Sequence, residues 1–277
     1  MMKPRILSLL IYVCCACHPY ANAQTANEKN PLGPWYLADK PASSWYFDVF
    51  AGVEFEPTYA GSDKTVVEPD ADFRAIYKTE AGHRYSLSLG EFGGVFQLSD
   101  DLIFSAFLEF EEGREDEEDD TLTGLDEVDS TVEGQFSIFK RWGNTFIAGV
   151  FQPDLLNRGK GLVYFAALGH DWALASNKLR VSTAFDVSFA DGEHMRTEFG
   201  ITPEESARTG LAPYRPGGGL KSTTASVGLE YSLKKRWSFI TELELEYYFD
   251  KAADSPLIRD EGSELTYEFF AAARYSF

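Results

Sequence analysis

Cysteine is nearly absent. Of 277 residues only Cys14, Cys15 and Cys17 are cysteine, all near the N-terminus, so a chain processed behind them holds none. That excludes a small disulfide-stapled secreted module and leaves stability to burial and backbone pairing. Past the N-terminus no apolar run approaches the ~18 residues of a helical membrane span, an absence that does not touch membrane barrels. Basic charge is also short: 25 Lys and Arg stand against 44 Asp and Glu, a net charge of −19. With no cluster of Lys and Arg, a nucleic-acid surface is excluded. Helical periodicity is scarce too. Its one clear instance is Pro203 to Arg208, where Thr202 and Glu205 have the spacing of a capping box.

What is present begins with a leader. Lys3 and Arg5 precede an apolar stretch from Ile6 to Cys17 broken only by Ser8, and Ala21-Asn22-Ala23 supplies the small-x-small pattern of a signal peptidase site. Residues 1–23 are therefore expected to be a signal peptide cleaved between Ala23 and Gln24; the stretch is too short for a membrane anchor. Loss of Lys3 and Arg5 leaves 23 basic residues against 44 acidic, a net of −21. Residues 24–44, with Pro31, Pro34 and Pro41, read as an irregular lead-in.

From Trp45 to Phe277 the dominant pattern alternates with period two, as side chains do along a strand. Phe47, Val49, Ala51, Val53 and Phe55 oppose Asp48, Gly52 and Glu54, while Leu102 to Phe110 sets alternate apolar residues against Ser105 and Glu109. Leu179 to Phe189, Ala225 to Leu233 and the segment from Trp237, with Glu242, Glu244 and Glu246 on its polar face, repeat it. Less regular strands fit at about 66–77, 83–98, 131–140, 145–152, 162–172 and 193–201.

A soluble sandwich and a membrane barrel both bury such faces, but sandwich strands average about five or six residues and membrane strands about nine to eleven. The clean segments reach ten or more, their polar faces carry repeated charge, and Trp45, Tyr46, Trp142, Trp172, Trp237 and Tyr275 lie near strand ends, where interfacial girdles form. The expected fold is an all-β transmembrane antiparallel up-and-down barrel over 45–277. Its last strand alternates from Leu265 and stops at Tyr275-Ser276-Phe277, so Tyr275 and Phe277 resemble the insertion signal of bacterial outer-membrane barrels. Both termini then face the periplasm. Outer loops fall at 112–130, 153–161, 190–222 and 250–263, and parity requires an even count. Gly90, Gly93 and Gly94 can split 83–98 into a short pair, giving 12 strands; merging two front segments gives 10. In the twelve-strand reading, 193–201 is an extended hairpin arm above the bilayer.

Several stretches resemble the MipA/OmpV family of outer-membrane proteins. They are Pro57-Thr58-Tyr59-Ala60-Gly61-Ser62-Asp63, the block from Phe199 through Thr202-Pro203-Glu204-Glu205 to Leu211, Tyr214-Arg215-Pro216, Gly219-Leu220-Lys221, Asp254-Ser255-Pro256-Leu257 and the terminal Tyr275-Ser276-Phe277. The resemblance implies an outer-membrane barrel of a Gram-negative bacterium that tethers a murein hydrolase to a murein synthase; other members of the family are described as adhesins or immunogenic surface proteins. Lipid and lipopolysaccharide are the surroundings it implies.

Site chemistry is sparse. Residues 111–120 hold eight carboxylates against Arg114, which could recruit divalent cations, yet they lack the glycine and ordered ligands of a calcium loop and read as a solvated acidic loop. His18 falls in the leader, and His83, His170 and His194 are too dispersed for a metal motif. His170-Asp171 beside a serine could mimic an outer-membrane lipase, but no Gly-x-Ser-x-Gly or His-Glu-x-x-His pattern accompanies it. No catalytic residue, metal or cofactor is assigned. The role the resemblance implies is a non-enzymatic interaction scaffold for murein synthesis and hydrolysis, with a surface adhesin or a narrow cation-preferring pore as alternatives.

Overall fold

The computed structural model of the chain describes residues 41–114, 119–174, 178–234 and 236–277. The leader, its cleavage position at Ala23 and Gln24, and nearly all of the lead-in lie outside the described residues. Alternation along the sequence becomes a wall of strands: β1 (Ser44–Pro57), β2 (Thr65–Lys78), β3 (Arg84–Leu87), β4 (Glu91–Gln97), β5 (Leu102–Glu111), β6 (Thr131–Trp142), β7 (Thr145–Pro153), β8 (Leu162–Leu174), β9 (Leu179–Ala190), β10 (Gly219–Lys234), β11 (Trp237–Tyr248) and β12 (Leu265–Ser276). Each pairs antiparallel with its neighbours in sequence, and β1 closes on β12 with Asp48 opposite Ser276 and Phe55 opposite Phe269. Twelve strands, not ten, form the ring.

The two faces of each strand separate as the pattern requires. Val49 and Val53 are exposed on the outside while Asp48 and Glu54 are buried in the lumen; on β5, Leu108 and Phe110 face out and Ser105 and Glu109 face in. Trp45, Trp142, Trp172 and Trp237 are exposed at one rim, where Trp237 and Tyr275 lie 4.9 Å apart. This rim holds Ser44 and Phe277 and is the periplasmic one by the rule for such barrels. Tyr46, expected in the girdle, instead points into the lumen. It follows Trp45 directly, so it must take the opposite face, and its hydroxyl donates to the carbonyl of Pro41.

The expected split of 83–98 occurs between Leu87 and Glu91, with Gly93 and Gly94 inside β4 rather than at the break. The β3–β4 hairpin is short. β3 pairs with β2 only over Ala75–Lys78, whereas β1 pairs with β2 along its whole length, so the wall is lower in this sector.

The stretch at 193–201 is not an extended arm. It forms α1 (Gly192–Phe199), because the Asp191 carboxylate accepts from the backbone N–H groups of Glu193 at 3.0 Å and His194 at 2.9 Å. Met195 and Phe199, four residues apart, share its buried face. The predicted turn of helix is α2 (Pro203–Thr209), with the Thr202–Glu205 capping box formed and Gly210 closing it in the left-handed region. Two short helices, α3 (Asp250–Ala253) and α4 (Pro256–Arg259), fill the last outer excursion.

The lumen is layered. Near the periplasmic rim lies a buried charged ring: Arg274 donates to Glu230 and, at 3.1 Å, to Ser238, while Arg141 meets Asp171 at 2.9 Å beneath Phe146. Above it, Ile103, Phe139, Phe146, Ala148 and Val150 pack as an apolar patch inside the barrel. The outer half holds a cavity under a roof of loops and helices.

Candidate functional site: a roofed acidic chamber

The roof is built by stretches that share no proximity in sequence. Glycine is required at position 61, where φ is +86° and a Cβ would stand 2.4 Å from Ile258 Cγ1. This close approach brings the β1–β2 loop under α4, and the Tyr59 hydroxyl then donates to the carbonyls of Leu257 and Glu261, both at 3.3 Å. Burial pushes that hydroxyl up to about 12. Ser255 Oγ donates to the Phe199 carbonyl at 2.7 Å, and the backbones of Ile201 and Tyr214 exchange hydrogen bonds at 2.8 Å. Tyr214 in turn donates to the Lys251 carbonyl at 2.7 Å. Two apolar clusters hold these pieces: Met195, Phe199, Tyr248, Ala252 and Ile258 in one, Tyr59, Leu122, Leu125, Ile201 and Leu257 in the other. Each large side chain so buried contributes roughly 1.5–3 kcal/mol.

Part of the acidic loop belongs to this roof. Asp119 caps the 3-10 turn Asp120–Leu122 by accepting from the Thr121 N–H at 2.8 Å, and it also accepts from Lys64 and Thr58, each at 2.7 Å. Burial opposes its charge, but the bonds from Lys64, Thr121 and Thr58 outweigh that cost and bring its pKa down to about 2. Glu111 instead meets Lys160 at 3.2 Å, whose ammonium also donates to the Glu112 carbonyl at 2.6 Å. Residues 115–118 lie outside the described residues. The described carboxylates that these contacts name are turned to partners within the chain, not gathered as a cation loop.

Beneath the roof is a cavity of about 310 Å³. Its wall is formed by inward-facing residues near the outer ends of the strands together with roof residues such as Glu112, Arg114, Lys160 and Glu198; among the described residues that line it, eleven are carboxylates and three cationic, a formal excess of eight negative charges. Lys221 pairs with Glu246 at 3.1 Å and Arg114 with Glu198 at 3.7 Å. Burial opposes the charge of Glu198, yet Arg114 and Lys160 hold its pKa below the usual range, whereas burial depresses that of His194. Phe146, Val163 and Phe165 add an apolar strip to the wall. Val66 and Glu68 on β2 and Glu109 and Glu111 on β5 also line it, so the chamber reaches the sector where the β3–β4 hairpin leaves the wall low.

The histidines singled out in the sequence do not converge. His170 and Asp171 are consecutive on β8 and take opposite faces: His170 lies 4.5 Å from Trp172 on the outside and 2.8 Å from Thr145 Oγ1, while Asp171 binds Arg141 and Ser182 in the lumen. They form no relay. His83 sits 3.2 Å from the Gln97 amide near the periplasmic rim. Among the described residues no group of three or more His, Cys, Asp or Glu is placed to hold a metal ion. Phe277 lies at the periplasmic rim with its ring 5.8 Å from Phe47 and 5.8 Å from Tyr275. Sequence reasoning missed the chamber. The available signal was that Glu56, Glu68, Glu109, Glu133, Asp186 and Glu268 all occupy inward positions toward the outer ends of their strands.

A closed twelve-strand ring with an apolar outer belt, aromatic residues at its rim and a roofed polar lumen defines an outer-membrane β-barrel. The chain belongs to the MipA family: residues 49–277 match the family described as MltA-interacting protein MipA. The stretches that carry the resemblance in sequence, apart from the terminal one, are those that meet in the roof and at its junction with β10. No curated protein matches the chain. Among solved structures it is similar to an outer membrane channel from Pseudomonas putida F1, at 10% identity over 92% of this chain and 100% of that one, with a TM-score of 0.47. It is also similar to the Pseudomonas putida toluene transporter TodX, at 8% identity over 90% and 94% with a TM-score of 0.40. A third is the outer-membrane OmpT of Vibrio cholerae, at 9% identity over 86% and 99% with a TM-score of 0.35. At such distances these likenesses carry no function.

Proposed function

We propose that the protein is a non-enzymatic interaction scaffold of the Gram-negative outer membrane, exported through the leader cleaved after Ala23, that holds a murein hydrolase and a murein synthase at its periplasmic rim. The observation that carries this reading is the match of residues 49–277 to a family described by its interaction with MltA. The geometry agrees with a docking body. The roof and the mid-lumen packing of Ile103, Phe139 and Phe146 oppose free passage, which supports a pore less well. The apolar belt suits outer-membrane lipid and lipopolysaccharide, and Tyr275 and Phe277 serve as the insertion signal.

In-cell cross-linking from the turn at Ser99–Asp101, followed by identification of captured periplasmic proteins, tests the scaffold. Capture of a murein hydrolase is the expected result. Recovery of no murein enzyme from several periplasmic turns, together with a stepwise cation conductance in planar bilayers, would replace the scaffold with the pore.

A further inference from the structure

We infer that the periplasmic turn between β10 and β11 is a docking site for the headgroup of an anionic phospholipid of the inner leaflet, independent of any protein held at the same rim. Charge sets this sector apart. In a chain of net −19, the stretches 172–182, 231–241 and 269–277, which carry the periplasmic ends of β8 to β12, contain no Asp or Glu. Lys178, Lys234 and Arg236 lie there on two adjacent turns, all exposed, and none is in an ion pair among the described residues. On the outer side, by contrast, Arg158, Arg208 and Arg259 meet carboxylates at 3.3, 2.5 and 2.6 Å. The end of the chain at Phe277 bonds to Phe47 of β1, on the far side of β12 from the β10–β11 turn. Six strands away across the ring the β4–β5 turn is acidic, with Asp100 and Asp101, the latter met by Lys140 at 2.5 Å.

Two local features turn the cations of this turn toward lipid. Along β10, Tyr231 faces out and Ser232 faces in, but the register slips between Ser232 and Lys234, and Lys234 stands opposite Trp237. Opposite residues of an antiparallel pair share a face, so the slip moves Lys234 from the lumen to the lipid side. Trp237 is on that side, 44% exposed, with its ring 4.9 Å from Tyr275. Arg236 reaches the same place: its Nη1 donates to the Tyr275 hydroxyl at 3.1 Å, and Tyr275 faces lipid because Arg274 before it is in the lumen. That bond uses one of the guanidinium donors and leaves the rest of the fork open. Lys234 and Arg236 therefore flank the Trp237–Tyr275 pair at the depth where aromatic girdles meet headgroups. The neighbouring turn is tied in by the Ser232 N–H, which donates to the Lys178 carbonyl at 2.8 Å. A phosphodiester matches the guanidinium fork and the ammonium, and exposed Leu174 and Leu233 give its acyl chains an apolar wall. A murein strand or an acidic protein would have to reach around the rim to meet cations placed on the lipid face, so the bilayer's own phosphate is the occupant that the geometry favours.

The test uses the full processed chain in detergent micelles, examined by native mass spectrometry with phosphatidylglycerol or phosphatidylcholine of the same acyl chains. Retention of phosphatidylglycerol in preference to phosphatidylcholine is expected, and the paired substitutions Lys234→Gln and Arg236→Gln should cut that preference roughly ten-fold or more. Arg158→Gln, on the outer side, should leave it unchanged. A heat-dependent gel shift verifies that the paired variant is folded; should it not fold, Lys234→Gln alone takes its place, with a loss of several-fold expected. Equal retention of the two lipids by the parent chain overturns the inference, and so does an undiminished preference in the folded variant. Displacement of phosphatidylglycerol by millimolar inorganic phosphate would assign the turn to a free anion instead. Loss of murein-enzyme capture with the lipid preference intact would assign it to a protein partner. The cross-linking turn at Ser99–Asp101 lies across the ring, so failure of the scaffold and failure of the lipid site are read separately.

Discussion

Ser255 Oγ donates a 2.7 Å hydrogen bond to the carbonyl of Phe199, joining the β9–β10 and β11–β12 outer excursions across 56 residues of chain. Both groups are buried, and the carbonyl belongs to the last turn of α1, where intrahelical donors run out. The bond therefore completes a helix end and fixes the roof in one step.

Ser255→Ala should leave the Phe199 carbonyl unsatisfied and destabilise the roof by about 1–3 kcal/mol. Limited proteolysis should cut within 191–218 faster than in the parent chain, while the heat-dependent gel shift of the barrel stays the same. Equal cutting rates would remove this bond from the set that holds the roof.

Gly61 and Gly82 separate packing from backbone strain. Their φ angles are +86° and +83°, but a Cβ on Gly61 meets Ile258 at 2.4 Å whereas one on Gly82 meets nothing within 4 Å. Both alanine variants carry the left-handed penalty of about 1 kcal/mol; only Gly61→Ala adds overpacking of about 1–3 kcal/mol. Thermal unfolding should rank Gly61→Ala well below Gly82→Ala, and similar losses would show that Ile258 gives way freely.

The clamp on Asp119 should fail in acid. Its folded pKa of about 2 lies below the ordinary 3.8, so its contribution is fully present above that ordinary value and is lost as pH falls through the folded one. Pepsin should open the 112–130 loop progressively between pH ~4 and ~2 in the parent chain. Asp119→Asn should be open already at higher pH and show a flatter profile. A parent profile without change across that interval would contradict the assignment.

Arg274 and Glu230 form a buried pair, each side chain 3% exposed. Arg274→Met strands the carboxylate and should cost about 3–5 kcal/mol in urea unfolding from micelles. Adding Glu230→Gln should restore a large part of that loss. A double variant no better than the single one would show that Arg274 acts mainly through its other contacts.

Phe277 is 52% exposed, stacks on Phe47 and lies tilted against Tyr275, so Phe277→Ala should cost at most about 1 kcal/mol in refolding from urea. Its level in the outer membrane of cells should nevertheless fall several-fold. Equal falls in the refolding yield and in the cellular level would assign the residue to stability instead of recognition.

Much of the barrel was legible in the order of residues. Alternation along β1, β5 and β12 assigned lumen and lipid faces at Asp48, Glu54, Ser105 and Arg274, because a strand turns its side chain over at every step. The parity of the turns, with the break in 83–98, led to twelve strands. The capping box at Thr202 and Glu205 was also readable, since all of its atoms lie within one turn. Local geometry misled at 193–201, where Asp191, Met195 and Phe199 carry a helix too short to announce its period.

Sequence by itself thus determined the closed wall, its two faces and which residues point inward, because those follow from a period of two and an even count. The tertiary structure alone decided the chamber. Its roof depends on contacts such as Tyr59 with Leu257 and Lys64 with Asp119, across 198 and 55 residues of chain, and its charge depends on carboxylates from separate strands reaching one height. Strand pairing register and loop closure set those meetings, and neither leaves a periodic mark in the order of residues.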